Sequence, residues 1–203
     1  FGRAAALLRQ NVESADQESG TPSPDERIQS QAWLARTFSE LGAFAEGRRH
    51  GEEALRLATR EGRGAAPLLA HYCLGHLYLA HGDLAHAIPV LEQGLALCRA
   101  AGIRNQARVI MGDLGYAYAL QGRLAEGCAL LEEAIREAIR MGAHSAGRVA
   151  WLSEVCRLAG RSEEAGQHAR QALDLARQRK ERGYEAHALH QLGVVQAHAD
   201  PPD

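Results

Sequence analysis

The sequence repeats itself at an interval of about forty residues. Each copy carries a leucine followed directly by a small residue: Leu34 with Ala35, Leu74 with Gly75, Leu114 with Gly115, Leu152 with Ser153, and Leu192 with Gly193. In the first four copies a glycine follows seven positions later, at Gly42, Gly82, Gly122 and Gly160. A fixed period of this length is typical of an array in which each copy is one supersecondary element that stacks on the next.

Within each copy the apolar residues recur at three- and four-residue spacing, which indicates helices rather than strands. We therefore expect two antiparallel helices per copy. The first should end at the turn glycine, because glycine readily adopts the left-handed conformation that stops a helix, and the second should end near Gly62, Gly102, Gly142 and Gly183. One helix pair cannot cover its own apolar faces, so neighbouring pairs must stack. The predicted fold is all-α: an α-solenoid of about ten helices, wound as a right-handed superhelix.

We expect the chain to form a single repeat domain over residues 1–203. The leucine pairs and turn glycines divide this domain into repeats. We assign a half repeat to 1–12, a mobile loop to 13–23, full repeats to 24–64, 65–104, 105–144 and 145–183, and a half repeat to 184–203. Ser23, Pro24 and Glu26 match a capping box with proline at the first helical position, so the first full helix should start near Pro24. Because the chain begins at Phe1, we expect it to be a piece of a longer protein.

Composition and charge narrow the choice of partner. The formal net charge is −2, which predicts no nucleic-acid partner, and no apolar stretch reaches the ~18 residues of a transmembrane helix, so we expect no membrane partner. Lys180 is the only lysine, so nearly all basic residues are arginine. This preference for arginine, together with the abundance of alanine, indicates a GC-rich bacterial genome. The four cysteines are dispersed without a C-x-x-C pair, which predicts reduced thiols and a cytoplasmic location.

The motifs of common catalytic sites are missing from the sequence. It contains no G-x-x-x-x-G-K-[ST] phosphate loop, no G-x-S-x-G nucleophile turn and no H-E-x-x-H zinc helix, so we predict no enzymatic activity. The histidines at 71, 76, 81 and 86 are five residues apart and would spread around a helix instead of converging on a metal. We predict neither a metal site nor a cofactor.

The best-defined copies resemble the tetratricopeptide repeat. The resemblance rests on Leu74, Gly75, Tyr78 and the turn Gly82, followed by small residues, and the third copy has the same pattern at Leu114, Gly115, Tyr118 and Gly122. The period is longer than the family's usual thirty-four residues. This longer form is similar to the C-terminal repeats of bacterial signalling ATPases, some linked to a nucleotide-cyclase domain and others resembling the maltose regulator. Segments Ala87–Arg99 and Glu181–Asp203 carry the likeness to the cyclase-linked group.

The resemblance implies where a partner would bind. In tetratricopeptide arrays the first helix of each repeat lines a concave groove, with contacts just after and two or three residues before the leucine pair. The corresponding positions, with two neighbours that project nearby, are Arg36, Tyr72, His76, Asp113, Tyr116, Glu154, Arg157 and His190. A groove with tyrosines and a histidine at its centre and charges of both signs suits an extended peptide or a helix. The lysines and asparagines with which some family members clamp a terminal carboxylate are not at these places.

Two interpretations of function follow. The first is a regulatory scaffold of a bacterial signalling protein that binds a protein or peptide segment, from another chain or from its own parent. The alternative is a sensor that holds a small metabolite in the groove. Trp33 and Trp151 occupy equivalent places, for which packing is the simpler interpretation and ligand contact the other.

The two predicted half repeats suggest a further partner, a second copy of the chain. Residues 1–12 match a second helix and residues 184–203 match a first helix, with Phe1, Ala4 and Leu8 at the positions of Leu84, Ala87 and Leu91. Uncapped repeat ends are prone to associate, so the sequence predicts head-to-tail contact between copies.

Overall fold

The computed structural model describes Ala6 and residues 23–62, 64–143 and 145–199, with the side chains of 198 and 199 left out. These residues form nine α-helices and no strand. The helices are α1 (Pro24–Glu40), α2 (Phe44–Glu61), α3 (Ala66–His81), α4 (Leu84–Ala100), α5 (Arg104–Leu120), α6 (Leu124–Arg140), α7 (Ala146–Leu158), α8 (Ser162–Arg179) and α9 (Arg182–Ala199). The all-α prediction is therefore confirmed. Apart from Ala6 and Ser23, the half repeat predicted at 1–12 and the loop at 13–23 lie outside the described residues.

The capping box at the start of α1 is present as predicted. The Ser23 Oγ accepts a hydrogen bond from the Glu26 backbone N–H at 3.3 Å, and Glu26 Oε2 accepts one from the Ser23 backbone N–H at 2.8 Å. Pro24 occupies the first turn, where its missing N–H costs no hydrogen bond. The two reciprocal bonds satisfy donors that a helix start leaves open, which fixes where α1 begins.

The turn glycines end the first helices as expected. Gly42, Gly82, Gly122 and Gly160 all have positive φ, between 72° and 93°. Two of the predicted second-helix ends, Gly102 and Gly142, are also left-handed, whereas Gly62 ends α2 in an extended conformation with φ −68° and ψ 141°.

The predicted helix end at Gly183 is wrong. Lys180 ends α8 in the left-handed region, with φ 58° and ψ 33°, and Gly183 lies inside α9. The Glu181 N–H then donates to the Ala176 oxygen at 2.9 Å, which is the bond that closes this kind of helix end. Because that bond offsets the modest steric cost of a side chain at positive φ, the turn forms without glycine.

The two helices of one repeat approach each other closely at the small residue of the leucine pair. A Cβ on Gly75 would lie 2.5 Å from the Cδ2 atom of Leu91, and one on Gly115 would lie 2.9 Å from the Gly127 oxygen. In the fourth repeat, the Ser153 Oγ donates to the Ala165 oxygen across the same crossing at 2.8 Å. These distances leave no room for a larger side chain, so the small residue of the leucine pair sets how closely the two helices approach.

The chain divides into two compact units, Phe1–Asp113 and Leu114–Asp203. In the first unit, α1 packs against α2 and α3, and α3 packs against α2 and α4. A core cluster there consists of Ile28, Ala32, Ala54, Leu57, Ala58, Ala66, Ala70 and Cys73. The apolar faces of α1, α2 and α3 thus meet in one core.

In the second unit, α7 packs against α6, α8 and α9, and α8 packs against α9. Its core cluster consists of Ala119, Cys128, Leu131, Leu152, Val155, Cys156, Ala165 and Val195. Within the described ranges, no helix combines the length and the apolar content needed to cross a membrane.

The crossings can be tested by adding one methyl group to a glycine. In Gly127→Ala the new Cβ would lie 2.5 Å from the Gly115 oxygen and 2.8 Å from the Ala119 nitrogen, and backbone atoms cannot move aside cheaply. We expect the free energy of unfolding to fall by about 1–3 kcal/mol, measured by urea titration, even though alanine favours helices over glycine by about 1 kcal/mol.

Gly166→Ala is the matched control, because the nearest atoms to its Cβ would lie at 3.6 Å, an ordinary contact. We expect it to be as stable as the wild type or more so. Equal stability of the two variants would contradict the close crossing.

Candidate functional site

The eight predicted groove residues all lie on the first helices of the repeats. Arg36 is on α1, Tyr72 and His76 on α3, Asp113 and Tyr116 on α5, Glu154 and Arg157 on α7, and His190 on α9. The structure brings them together in two groups, one within each compact unit. We call them the histidine cluster (Arg36, Glu40, Tyr72, His76 and Asp113) and the tyrosine cluster (Tyr116, Trp151, Glu154, Arg157, His187, His190 and Gln191).

His76 is the centre of the histidine cluster. Its Nδ1 lies 2.7 Å from Oδ2 of Asp113, and because a carboxylate only accepts, the imidazole donates at that nitrogen. Both side chains are buried, with Asp113 fully enclosed and His76 9% exposed. On the other side of the ring, Nε2 lies 3.8 Å from Oε1 of Glu40. Asp113 therefore positions His76 from the core and does not itself reach the surface.

Arg36 links the same cluster to α1. It forms an ion pair with Glu40, one helical turn further on, and a hydrogen bond with Tyr72. Burial lowers the pKa of the guanidinium, but Tyr72 and Glu40 outweigh it and hold the pKa of Arg36 above its usual value. The Tyr72 ring lies 6.2 Å from the His76 ring between centroids. The cluster thus presents a fixed cation, a carboxylate and a phenol beside the imidazole.

Tyr116 is the centre of the tyrosine cluster. Its hydroxyl donates to Oε2 of Glu154 at 2.7 Å, and its ring stacks on that of Trp151, with centroids 4.6 Å apart and planes 4° from parallel. Burial raises the pKa of the Tyr116 hydroxyl, and the hydrogen bond to Glu154 raises it further. The hydroxyl therefore stays protonated near neutral pH and remains a donor.

The rest of the tyrosine cluster holds polar atoms whose hydrogen-bonding capacity is not used. Nε of Arg157 and Oε1 of Gln191 are buried and have no hydrogen-bond partner among the described residues. Gln191 is only 4% exposed, and its Nε2 lies 3.4 Å from Nε2 of His187. Burial lowers the pKa of His187, and nearby His190 lowers it as well, although Glu154 opposes both. His187 is therefore neutral near pH 7, and His190 lies exposed on the same helix.

The two clusters share a positional rule. His76 directly follows the small residue of its leucine pair, and it contacts Asp113, which directly precedes the leucine of the next repeat. Tyr116 and Trp151 hold the same two positions and stack on each other. The same geometry thus supports a charged contact in one unit and an aromatic contact in the other.

Sequence reasoning missed several members of these clusters. Glu40, His187 and Gln191 were not among the predicted residues, although Glu40 lies four residues after Arg36, a spacing that places opposite charges side by side on a helix. Packing is confirmed for Trp151, which stacks on Tyr116. It is wrong for Trp33, which is 45% exposed.

The evenly spaced histidines each have their own neighbour. His71 Nδ1 lies 2.8 Å from the Pro67 oxygen, the His81 ring lies 4.8 Å from that of Phe44, and His86 bonds to Asp83. Among the residues whose placement is described, no group of three or more histidine, cysteine, aspartate or glutamate side chains could hold a metal ion.

Comparison with known proteins identifies the fold. No protein-family model matches the chain, and no curated protein matches it. Among solved structures, BtubC from P. vanneervenii is 19% identical with a TM-score of 0.73, and the match covers 98% of this chain and 84% of that one. A thermophilic TPR protein from Thermus thermophilus is 21% identical with a TM-score of 0.61, covering 92% and 89%. The chain shares the fold of these proteins, an all-α solenoid of helical repeats.

A third similar structure belongs to a much longer protein. It is the Signal Transduction ATPase with Numerous Domains (STAND) protein of Pyrococcus horikoshii, which has a tetratricopeptide repeat sensor. The two are 13% identical with a TM-score of 0.66, and the match covers 95% of this chain but 31% of that protein. At these identities the similar structures establish the α-solenoid fold of the chain.

The buried contact of the histidine cluster predicts a stability effect. Asp113→Ala leaves the donor nitrogen of buried His76 without its acceptor, so we expect the free energy of unfolding to fall by about 2–4 kcal/mol. Asp174→Ala, at an exposed position of α8, should stay within about 0.5 kcal/mol of the wild type.

Repeating Asp113→Ala in a His76→Ala background separates the contact from a general packing loss. We expect a smaller effect of the aspartate substitution there, because the histidine is already gone. An unchanged effect, measured by urea titration, would show that the contact does not stabilise the fold.

Proposed function

We propose that this chain is a non-catalytic scaffold that binds a protein or peptide segment along the first helices of its repeats. The observation that carries the proposal is the arrangement of polar side chains on those helices. Contacts between neighbouring repeats hold them in place, as with His76 on Asp113 and Tyr116 on Trp151. Side chains fixed before binding lose less conformational entropy when a partner arrives, which favours a recognition role.

The chemistry of the clusters points to a polypeptide ligand. The histidine cluster offers Arg36 and Glu40 close together, so it can pair with charges of either sign. The tyrosine cluster offers the stacked rings of Tyr116 and Trp151, and such rings are enriched in the energetic centres of protein interfaces.

We further propose that the scaffold is the regulatory repeat domain of a bacterial multidomain signalling protein. The sequence resemblance to cyclase-linked and maltose-regulator-like ATPases supports this, as does the structural likeness to the STAND protein with a tetratricopeptide repeat sensor. In such a protein the bound segment could belong to the parent chain. A cytoplasmic location fits the four free cysteines, since burial raises the pKa of Cys73 and Cys156 to about 12 and keeps both as thiols.

A second candidate function is the sensing of a small metabolite. It is favoured by the structural similarity to the STAND protein, whose repeats are described as a sensor. Two concavities among the described residues support it less well. One of about 450 Å³ is lined by Ser23, Pro24, Asp25, Arg60 and Glu61, and another lies among residues of α6, α7 and α8. Neither includes a residue of the two clusters, whereas a metabolite site would be an enclosed pocket with convergent polar groups.

The proposal is tested by capture and footprinting. The chain, carrying a photo-cross-linker at an exposed position of α3 or α7, is incubated with a bacterial lysate, and cross-linked polypeptides are identified by mass spectrometry. In parallel, native mass spectrometry of the chain recovered from the lysate detects a bound metabolite. A polypeptide cross-linked at the first helices supports the scaffold, and a stoichiometric small molecule with no polypeptide supports the sensor.

Tyr116 should contribute directly to the affinity for a captured segment. We expect Tyr116→Ala to weaken binding by about 1–3 kcal/mol, or roughly 5- to 150-fold in Kd, as measured by calorimetry with the captured segment as a synthetic peptide. Tyr116→Phe keeps the ring on Trp151 but loses the bond to Glu154, so it should show a smaller loss.

Leu97→Ala is the control, since Leu97 is 43% exposed on α4, a second helix, and should leave the affinity unchanged. Circular dichroism must confirm equal helical content in all variants. Wild-type affinity in a folded Tyr116→Ala variant would remove this residue from the binding surface.

A further inference from the structure

Two cysteines of the second unit lie side by side. Cys128 is on α6 and Cys156 on α7, and both belong to the same core cluster. The two thiols are joined by a hydrogen bond, and the residues are 5% and 0% exposed. Because a disulfide forms only where two cysteine side chains converge, this contact between successive repeats is an arrangement from which one can form.

The first unit shows that side chains at these two repeat positions meet. Arg48 directly follows the small residue of its second helix, as Cys128 does, and Tyr78 follows its leucine by four residues, as Cys156 does. The guanidinium of Arg48 lies over the Tyr78 ring, 5.4 Å from the ring centroid. The register of the repeat therefore brings these positions together, and in the second unit both of them are cysteine.

Cys128 also contacts two charged side chains. Its Sγ accepts a hydrogen bond from Nη1 of Arg161 at 2.9 Å and donates one to Oε1 of Glu132 at 3.3 Å. Arg161, which directly precedes α8, is held by a hydrogen bond from its Nε to Oε1 of Glu164 at 2.7 Å. The side chains of Arg161 and Glu132 are each 37% exposed, so the thiol lies directly beneath groups that solvent reaches.

The neighbours of Cys128 act on its thiol in opposite directions. Burial raises the pKa of Cys128 and the hydrogen bond to Glu132 raises it further, whereas Arg161 lowers it. Burial also raises the pKa of Cys156 to about 12, and the neighbouring Cys128 contributes to that increase. Both cysteines are therefore thiols near neutral pH. Arg161 increases the small thiolate fraction of Cys128, and the thiolate is the form that reacts with oxidants.

We propose that Cys128 and Cys156 are a redox-sensitive pair that hydrogen peroxide converts into a disulfide between α6 and α7. Cys128 passes its proton to Glu132, and its thiolate attacks one peroxide oxygen. The O–O bond breaks, which leaves a sulfenic acid on Cys128 and a hydroxide that takes the proton from Glu132 to become water.

The second step closes the disulfide. The Cys156 sulfur attacks the sulfenic sulfur, the S–S bond forms, the S–O bond breaks, and a second water leaves with the Cys156 proton. Two thiols and one hydrogen peroxide thus give one disulfide and two water molecules.

The bond is reversible and ties two repeats together. A dithiol reductant restores both thiols and is itself oxidised to a disulfide. Until then the second helix of the third repeat is linked covalently to the first helix of the fourth. The proposal does not rest on the proposed binding function, because the two cysteines lie in the core and outside both polar clusters.

Peptide mapping of the full chain tests the pair directly. The reduced chain is treated with hydrogen peroxide at neutral pH, unfolded in the presence of an alkylating agent, and digested without reductant for mass spectrometry. We expect a cross-linked peptide pair that contains Cys128 and Cys156 and disappears after treatment with dithiothreitol. Cys73 and Cys98 are the internal controls, since burial raises the pKa of these thiols to about 12 and about 11, and both should be recovered alkylated.

Two arginines offer a matched pair of variants. Arg123 directly precedes α6 and pairs with Glu126 in the way that Arg161 pairs with Glu164. We expect Arg161→Gln to slow disulfide formation about three- to tenfold at neutral pH and to shift the rate profile to higher pH, because the thiolate loses its cation. Arg123→Gln should follow the wild type in both measurements. A purely structural role of Arg161 would not move the pH profile.

A third variant tests the order of the two steps. In Cys156→Ala the sulfenic acid on Cys128 has no neighbouring thiol, so it should accumulate and be trapped by dimedone. The proposal is overturned if all four wild-type cysteines remain thiols, if Cys128 is oxidised without a cross-link, or if it joins Cys73 or Cys98 instead. Equal rates and pH profiles for Arg161→Gln and Arg123→Gln would also overturn it.

Discussion

The small residue of each leucine pair sets the distance between the two helices of its repeat. Gly75 and Gly115 each stand where a second helix approaches so closely that an added Cβ would collide with it, and Ser153 bonds to the second helix of its own repeat. Close approach brings the backbones of a pair together and buries the leucine beside each small residue, as with Leu74 and Leu114, each 2% exposed. The forty-residue period exists because every repeat has to make this same crossing.

The polar clusters are a consequence of that regularity. At two of the repeat junctions, the residue after the small one contacts the residue before the leucine of the next repeat. In one unit this register joins His76 to buried Asp113, and in the other it stacks Tyr116 on Trp151. A repeat fold can therefore vary the chemistry of its first helices without altering its core, which is the property that a binding scaffold requires.

Much of the fold could be predicted from the sequence because it is encoded locally. The capping box at Ser23 and the left-handed glycines at the turns depend only on residues within one turn of helix. The end of α8 at Lys180 could not be predicted, because a non-glycine residue adopts positive φ only where the surrounding bonds compensate. The predicted groove residues do lie on the first helices. Helix periodicity, however, predicts only which face of a helix a side chain is on and not how deeply that side chain is buried. Asp113 and Trp33 illustrate the difference, since one is fully buried and the other is 45% exposed.

Binding of a partner along the first helices can be followed by hydrogen exchange of the chain with and without a captured segment. We expect slower exchange in α3 and α7, and in the parts of α5 around Asp113 and Tyr116, with little change in α4, α6 and α8. Protection confined to the second helices, with unchanged exchange around His76 and Tyr116, would contradict it.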